Sequence, residues 1–189
     1  MIPTATPKIL KLVRLGNPVL RMDTKRLTRT EIVSDKIRNL VANMRHTIEE
    51  ESYGVGMSAP QVGESLAISI IAIKPTPNRP ELKRFDKTLF NAEIIETYGR
   101  RVGMWEGCAS VGSGDDILYA KVPRYKKVRV AYLDETGQRR IEVLDGFVAH
   151  VAQHEIDHLS GVMLVDRVRD KSTFMMGDEY KKRIVNSRA

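Results

Sequence analysis

The feature that most constrains this chain is the motif His154-Glu155-Ile156-Asp157-His158, near its carboxyl end. Two histidines four positions apart lie on one face of an α-helix, about one turn from each other. This spacing lets both imidazoles bind one metal ion, with the intervening glutamate beside it as a proton carrier. The motif also arises by chance, and a solvent-exposed helix face with two ordinary histidines is the alternative interpretation. The rest of the chain therefore has to be searched for a further ligand.

Two helical histidines leave a tetrahedral site one protein ligand short when a water takes the fourth position. A third histidine six residues after His158 would indicate a metzincin, but Leu164 stands there. A glutamate on a later helix would indicate a thermolysin-like metallopeptidase, and Glu179 is the candidate. The other candidate is Cys108, the only thiol in the chain and a strong ligand for Zn²⁺ or Fe²⁺.

Composition indicates a globular protein that lies in the cytoplasm. Apolar residues make up 42% of the chain and charged residues 29%, which argues against global disorder. No apolar run approaches the roughly 18 residues that span a bilayer, and no signal peptide is apparent, so we expect no membrane partner. A single cysteine permits no intramolecular disulfide and fits a reducing compartment. We expect residues 1–189 to form a single domain.

The net charge of +7 permits a polyanionic neighbour such as RNA or a ribosome. Lys181, Lys182 and Arg183 concentrate positive charge near the end of the chain. No run of Lys and Arg with interleaved aromatic residues occurs, so we expect no sequence-specific nucleic-acid binding. A ribosome contact through the basic surface and tail stays an open prediction, and a basic surface that only maintains solubility is the alternative.

Hydrophobic periodicity and turn residues predict a chain of alternating helices and strands with no internal repeat. In order, the predicted elements are an amphipathic helix over residues 31–51, a strand over 66–74, a Pro-rich loop over 75–88, a strand over 89–98, a mobile loop over 112–116, a hairpin of strands 127–133 and 139–144, a helix that carries the histidines from an N-cap at Asp145 to a stop at Gly161, and a short helix within 173–189.

The segment GVGMSAPQ at residues 54–61 is rich in small residues. It lacks the lysine and the spacing of a Walker phosphate loop, and it leads into a predicted strand rather than a helix. Small residues permit the backbone of another chain to approach closely. The segment therefore indicates a peptide-binding loop, with a plain tight turn as the alternative.

Three separated motifs, taken together, resemble the peptide deformylase family. Its motifs GxGLAAxQ, EGCLS and HExDH are matched in order by GVGMSAPQ at 54–61, EGCAS at 106–110 and HEIDH at 154–158. Flanking segments are similar as well: PVLR at 18–21, VPRY at 122–125, GFVAHVAQ before the histidines and VDRV at 165–168. The resemblance runs nearly from end to end.

The resemblance implies an α+β fold with a single domain, in which mixed and antiparallel sheets pack around the central HExxH helix. It implies hydrolysis of the N-formyl group from the formyl-methionine of N-formylated nascent peptides, giving formate and a free amine. The metal ligands would be Cys108, His154 and His158. Fe²⁺ is the usual metal of the family, with Zn²⁺, Ni²⁺ or Co²⁺ as substitutes.

The resemblance also implies roles for residues around the metal. Glu155 would carry the proton, while the side-chain amide of Gln61 and the backbone N–H of Ala109 would stabilise the oxyanion. Asp157, and Glu106 as well, are candidates for holding ligands in place, with a purely structural ion pair as the alternative for each. The implied substrate-binding residues are Gly54, Val55, Gly56, Glu106, Gly107, Arg124, Phe147, His150 and Val151.

Several residues depart from the family pattern. Ser58 replaces the usual alanine and adds a hydroxyl that needs a partner near the metal. Met57 and Ala109 each replace a leucine, and residues 111–121 form a longer loop than is common, so substrate preference is open there. His150 stands where an apolar residue or an arginine is usual. We expect it to line the methionine pocket and make it more polar, with a solvent-facing histidine as the alternative.

Two other functions remain open from the sequence. One is a deformylase-like protein with an altered substrate, or with a non-catalytic, ribosome-associated binding role. The intact set of Glu155, Gln61 and three ligands argues against the non-catalytic form, which has no need of them. The second is the thermolysin-like metallopeptidase, which requires Glu179 rather than Cys108 as a ligand.

Overall fold

The computed structural model describes residues 6–50, 54–76 and 80–186. The helices are α1 (Arg29–Ile32), α2 (Asp35–Glu50), α3 (Gly146–Leu159), α4 (Leu164–Arg167) and α5 (Gly177–Tyr180), which a π-helical turn over Lys181–Val185 extends. The strands are β1 (Gly56–Ser58), β2 (Ile68–Ile73), β3 (Phe85–Gly107), β4 (Leu118–Leu133), β5 (Arg139–Asp145) and β6 (Met175–Met176). No helix in these ranges is long and apolar enough to cross a membrane.

The strands form one sheet in the order β1-β2-β3-β4-β5, and β6 pairs with β4. Every pair among these strands is antiparallel, and the bridge between Lys25 and Leu66 is parallel. Helix α3 packs against strands β1 to β5. The predicted α+β class, with a sheet around the helix that carries the histidines, is confirmed.

Helix α3 is buried on most of its surface rather than along one stripe. Ala149 and Ala152 are fully buried, and their small side chains let the strands approach the helix closely. The helix ends where predicted, because Gly161 has a φ of 65° and a Cβ there would meet the backbone of Arg21 at 2.6 Å. Asp145 occupies the predicted N-cap position, but its carboxylate pairs with Lys127 at 3.1 Å instead of capping the helix.

The amphipathic helix predicted over residues 31–51 is two helices, α1 and α2. Thr28 and Glu31 form a capping box that starts α1, and the chain turns at Val33 before α2 begins. The predicted apolar stripe is confirmed for α2, where Ile37, Val41, Met44 and Ile48 are buried. Residue 51 lies outside the described residues.

Strand β3 is much longer than the predicted strand over 89–98. It begins inside the predicted loop, at Phe85, and continues to Gly107 beside the metal-binding motif. Three shifts in its pairing with β4 interrupt the alternation of buried and exposed residues, so the period-two signal is lost beyond the first part. These shifts bend one strand from the main core to the site.

The tail forms more than the predicted short helix. Strand β6 pairs with β4, placing Met175 opposite Tyr119, and α5 follows directly. A short 3₁₀ turn, Gly114–Asp116, lies within the loop predicted over 112–116, and the tail docks against it. The end of the chain is therefore part of the surface around the site.

Candidate metal centre

The Cys108 sulfur and the ring nitrogens of His154 and His158 all lie within 4.8 Å of one another. The His158 Nε2 lies 3.5 Å from the Cys108 Sγ and 3.3 Å from the His154 Nε2. Cys108 follows the last residue of β3, and both histidines face it from α3 because they are one helical turn apart. All three side chains are buried.

This donor set fits a divalent transition metal. One thiolate and two imidazoles are the borderline ligands that Zn²⁺ and Fe²⁺ accept, and three protein ligands leave one position for water or substrate. Burial lowers the pKa of His158 well below its usual value, so this ring is neutral, as a ligand must be. Burial also disfavours the charge on His154, but contacts with Cys108 and Glu106 outweigh it and raise the pKa well above its usual value. The same negative surroundings favour a metal cation in place of that proton.

Glu106 contacts His154, one of the three grouped donors. Its Oε2 lies 2.8 Å from His154 Nδ1, which leaves the Nε2 of that ring facing the other two donors. Arg124 contacts both Glu106 oxygens, and its Nη1 donates to Asp157 at 2.7 Å. Burial opposes ionisation of Glu106, yet His150, His154 and Arg124 together hold its pKa well below the ordinary value. These contacts therefore favour the ionised form of Glu106.

Glu155 has different neighbours. Its Oε2 accepts a hydrogen bond from the Ser58 hydroxyl at 2.7 Å, and the Ser58 and Ser69 hydroxyls are 3.0 Å apart. The partner that Ser58 was expected to need is thus Glu155. A Cβ at Gly56 would come within 2.5 Å of Glu155 Oε1, so glycine makes room for the carboxyl. Burial raises the pKa of Glu155, and this carboxyl group is well suited to accept a proton.

A hydrogen bond to its amide oxygen fixes the orientation of the Gln61 side chain. Its Oε1 accepts a hydrogen bond from the backbone N–H of Ser58 at 2.8 Å, which leaves Nε2 directed toward the Cys108 sulfur at 3.5 Å. Ala109 follows Cys108 directly and begins a short 3₁₀ turn, Ala109–Val111. Two potential donors to an oxyanion, a side-chain amide and a backbone N–H, therefore lie beside the ligands.

One cavity of about 370 Å³ contains the metal ligands Cys108 and His154 in its wall. Predicted site residues that also line it are Val55, Gly56, Gln61, Glu106, Gly107, Ala109, Phe147, His150, Val151 and Glu155. A larger cavity of about 600 Å³ shares Phe147 and His150 with it but includes none of the metal ligands. The chemistry is therefore centred on the smaller cavity.

Two predicted substrate-binding residues, Gly54 and Arg124, do not line this cavity. Arg124 is buried, and Glu106 and Asp157 take up its guanidinium. A cation so buried needs such partners. Arg124 also lines the larger cavity of about 600 Å³, and its substrate-binding role stays a prediction.

The contacts of three further side chains bear on predictions made from the sequence. The solvent-facing alternative for His150 is wrong, because only 4% of that residue is exposed and its Nε2 lies 2.5 Å from Glu106 Oε1. Glu179 pairs with Arg183 and is not one of the three grouped ligands, so the thermolysin-like alternative has no support. Asp157 has the structural ion pairs expected of it, with Arg124 at 2.7 Å and Arg167 at 2.6 Å.

Several lining residues were not predicted from the sequence: Lys74, Thr76, Leu82, Trp105, Tyr119, Tyr180 and Val185. Trp105 precedes the EGCAS motif directly, and that position was its only local signal. Tyr119 reaches the cavity through the pairing of β3 with β4, and Tyr180 through the tail that follows the pairing of β4 with β6; no local pattern indicates either pairing.

Comparison with known proteins agrees with this geometry. The family model described as polypeptide deformylase matches residues 9–174. The chain is 32% identical to a peptide deformylase 2 from Nostoc sp. over 183 residues, which cover 96% of this chain and 98% of that protein. It is 36% identical to a peptide deformylase from Thermomicrobium roseum over 162 residues, 86% of this chain and 87% of that protein.

Solved structures show the same similarity. The crystal structure of a class I type b peptide deformylase from Acinetobacter baumannii, bound to Met-Ala-Ser, superposes with a TM-score of 0.79 at 31% identity, covering 86% of this chain and 100% of that one. An actinonin-bound peptide deformylase from Synechococcus elongatus gives a TM-score of 0.75 at 33% identity, covering 97% and 92% of the two chains.

Proposed function

The chain belongs to the polypeptide deformylase family, and we propose that its buried Cys108, His154 and His158 serve hydrolysis of the N-formyl group that begins a new polypeptide. Formate and a free amino terminus are the products. The observation that carries this proposal is the grouping of three metal-binding donors, two of which line one cavity together with Glu155. Residues 1–189 act in it as one catalytic domain.

The proposed metal ligands are Cys108, His154 and His158. Fe²⁺ is the metal that the family resemblance favours, with Zn²⁺, Ni²⁺ or Co²⁺ as substitutes. When bound, a divalent ion supplies positive charge that lowers the pKa of a water molecule and polarises the formyl C=O. Glu106 keeps His154 in the ring orientation that this binding requires, through its contact with Nδ1 at 2.8 Å.

Glu155 is the proposed proton carrier. It takes a proton from the water that attacks the formyl carbon, and it gives that proton to the nitrogen of the leaving amine as the C–N bond breaks. Its raised pKa supports the first step, because a more basic carboxylate accepts a proton more readily. Ser58 holds Oε2, so Oε1 is the oxygen that remains for the reacting atoms.

Negative charge develops on the formyl oxygen during attack. The Gln61 side-chain amide and the backbone N–H of Ala109 are the proposed donors to it. Support for the orientation of Gln61 comes from its Oε1, which the Ser58 N–H already engages. The donors are thus arranged before the substrate arrives, and little reorganisation is needed.

The substrate backbone is proposed to lie along β1. This strand is at the end of the sheet order, with only β2 beside it among the described strands, so its other edge is available for pairing. Val55 and Gly56 line the cavity there. An extended peptide added to a sheet edge gains affinity from main-chain hydrogen bonds whatever its sequence, which suits an enzyme that acts on many new chains.

The methionine side chain is proposed to contact Phe147, His150 and Val151, which share one face of α3. We propose that His150 makes this pocket more polar than an aliphatic residue would. The expected result is that His150→Ile lowers the relative rate on formyl peptides with a more polar first residue. A wild type that already prefers formyl-Met over those peptides, with the same preference in His150→Ile, would disprove this role.

The test of the reaction is formate release from formyl-Met-Ala-Ser by anaerobically purified, Fe²⁺-loaded protein. We expect turnover by the wild type, none by Glu155→Ala although it keeps its metal, and loss of the metal in Cys108→Ala. Absence of turnover by wild type that carries a full equivalent of metal would contradict the proposed substrate. The departures at Ser58, Ala109 and His150 would then direct a screen of other acylated amines.

We further propose a cytoplasmic location, because a free thiol ligand needs reducing conditions. A ribosome contact through the basic tail has weaker support. Lys181 pairs with Asp115 at 2.7 Å, and Lys182 and Arg183 both pair with Glu179. These acidic partners within the chain partly neutralise the positive charge of the tail. Co-sedimentation of the Glu155→Ala protein with ribosomes tests this contact without turnover.

A further inference from the structure

Three aromatic side chains line the same cavity as Cys108 and His154: Trp105, Tyr119 and Tyr180, here called the aromatic wall. The rings of Tyr119 and Tyr180 are stacked, with centroids 4.0 Å apart and planes 5° from parallel. The Tyr180 ring also meets that of Trp105 edge to face, at 5.5 Å and 63°. All three are half-buried, so part of each ring is accessible from the cavity.

Two of these rings are fixed next to the metal-binding motif. Trp105 directly precedes Glu106 on β3, and Tyr119 pairs with Gly107 across β3 and β4. A Cβ at Gly107 would lie only 2.8 Å from the Tyr119 ring, so the ring packs directly on this glycine. The Tyr119 ring therefore contacts Gly107, which directly precedes Cys108.

The third ring is supplied by the tail, whose position is set by contacts outside the wall. Strand β6 pairs with β4 immediately before α5. Gly177 lies so close to the backbone of the 3₁₀ turn Gly114–Asp116 that a Cβ there would meet the Gly114 oxygen at 2.9 Å. Lys181 pairs with Asp115 at 2.7 Å. These contacts hold Tyr180 over the cavity.

The tail lies outside the part of the chain that the family model matches. That match ends at residue 174, whereas Tyr180 and Val185 both line the cavity. The match therefore covers the metal ligands and the proton carrier, but not the whole wall of the cavity. Tyr180 therefore lies in the wall of the cavity but outside the segment that carries the metal ligands and the proton carrier.

The aromatic wall lines the same cavity as Val55 and Gly56 at the start of β1, along which the substrate is proposed to lie. Lys74, Thr76 and Leu82 line the same cavity as the three rings, and so does Val55 beside β1. We propose that the aromatic wall is a binding subsite for an apolar, preferentially aromatic, side chain on the first or second residue after the formyl-methionine. This inference rests on the proposed function and specifies which formylated peptides the site binds best.

The chemistry of the wall favours such a side chain over a small or acidic one. Stacked and edge-to-face contacts between aromatic rings stabilise beyond the area they bury, and a ring on the substrate would extend the existing stack. The expected gain is about 3- to 10-fold in kcat/KM for one added aromatic contact. Lys121 lies over the Trp105 ring at 5.5 Å, and Lys74 lines the cavity, so attraction of an acidic side chain is the competing outcome.

The experiment measures kcat/KM of the metal-loaded protein for four peptides: formyl-Met-Ala-Ser, formyl-Met-Phe-Ser, formyl-Met-Ala-Phe and formyl-Met-Glu-Ser. We expect at least one of the phenylalanine peptides to exceed formyl-Met-Ala-Ser by about 3- to 10-fold, mainly through a lower KM. The ratio should fall toward unity in Tyr180→Ala. It should persist in Tyr180→Phe, which keeps the ring and removes only the hydroxyl.

Lys182→Ala is the matched control, because Lys182 lies on the same tail, is exposed and does not line the cavity. It should keep the wild-type ratio. Equal kcat/KM for all four peptides, a preference for the glutamate peptide, or an aromatic preference that survives in Tyr180→Ala would each overturn the proposal. Failure of the proposed function looks different, since no peptide would then release formate.

Discussion

Glu106 and Glu155 are two buried glutamates beside the same pair of histidines, and their environments drive them in opposite directions. The pKa of Glu106 is held well below its ordinary value, whereas that of Glu155 is raised. Burial penalises the charge on both. Burial alone therefore does not decide what a carboxyl group does in a metal site.

The difference lies in the charge of the neighbours. Glu106 has the Arg124 guanidinium and two imidazoles against its oxygens, while the nearest hydrogen-bond donor to the Glu155 carboxylate is the neutral hydroxyl of Ser58. Neighbouring cations favour the ionised form of a carboxyl group, whereas a neutral hydroxyl leaves the group able to gain and lose a proton. One glutamate can thus hold a ligand while the other moves a proton.

Glu155→Gln should produce the largest effect. The amide keeps the size of the side chain but cannot accept the proton, so kcat should fall by about 10²- to 10⁴-fold. Metal content should stay at the wild-type value, because Glu155 is not among the grouped ligands. Formate release and metal analysis on the same preparation measure both. Loss of metal in this variant would mean that the two glutamates do not divide the roles.

Glu106→Gln should affect metal binding before chemistry. Its contact with His154 Nδ1 is weakened, and metal affinity should fall by about 10- to 100-fold. The variant also leaves the buried Arg124 with Asp157 as its remaining anionic partner, and the free energy of unfolding should drop by about 3–5 kcal/mol. Metal titration and urea unfolding test these effects. Unchanged metal affinity would show that Glu106 does not orient the ligand.

The pH dependence of stability should separate the two glutamates in metal-free protein. The lowered pKa of Glu106 contributes stability above its ordinary value of 4.5, and this stability is lost as pH falls through the folded-state pKa. The raised pKa of Glu155 has the opposite effect. Its contribution to the free energy of unfolding is present below pH 4.5 and is lost as the pH rises through the folded-state pKa.

The free energy of unfolding of metal-free Glu106→Gln should therefore approach that of metal-free wild type as the pH falls below 4.5. Metal-free Glu155→Gln should become the more stable protein as the pH rises above that value. Urea unfolding from about pH 2 to about pH 8 measures both gaps. Two gaps that change in the same direction would contradict the comparison.

Ser58→Ala should produce the smallest effect. Loss of one hydrogen bond to Glu155 Oε2 should lower kcat by about 5-fold, with KM and metal content unchanged. Ser69→Ala is the matched control, because it removes the neighbouring hydroxyl but leaves the bond between Ser58 and Glu155. Equal losses in the two variants would assign the effect to packing rather than to the position of the carboxyl.

The sequence was informative where chemistry is local. The one-turn spacing of His154 and His158 is a property of the helix itself, and the lone Cys108 was one of two candidate ligands that distance then separated. The location of Glu106 between Arg124 and His154 could not be predicted from the sequence, because the pairing of β3 with β4 and the packing of α3 on the sheet bring those residues together.

The fold shows the same division. The core stripe of α2 was visible as periodicity, but the full length of β3 was not, because its register shifts interrupt the alternation on which strand prediction depends. The role of His150 also depended on packing, since the sequence left it between pocket wall and solvent. Tyr180 gave no local signal, because only the docked tail places it in the cavity.

Among the described strands, β1 pairs with β2 alone, and it lies beside a centre whose reactive groups are buried. A chain that pairs with the other edge of β1 must offer backbone N–H and C=O groups that no helix or other sheet already uses. Its first residues must also be extended, so that the formyl group arrives ahead of them. An amino terminus that has already packed into its own fold is thus excluded by shape. With the substrate bound along β1 as we propose, the time available for the reaction is set by how long the beginning of a new chain stays unfolded.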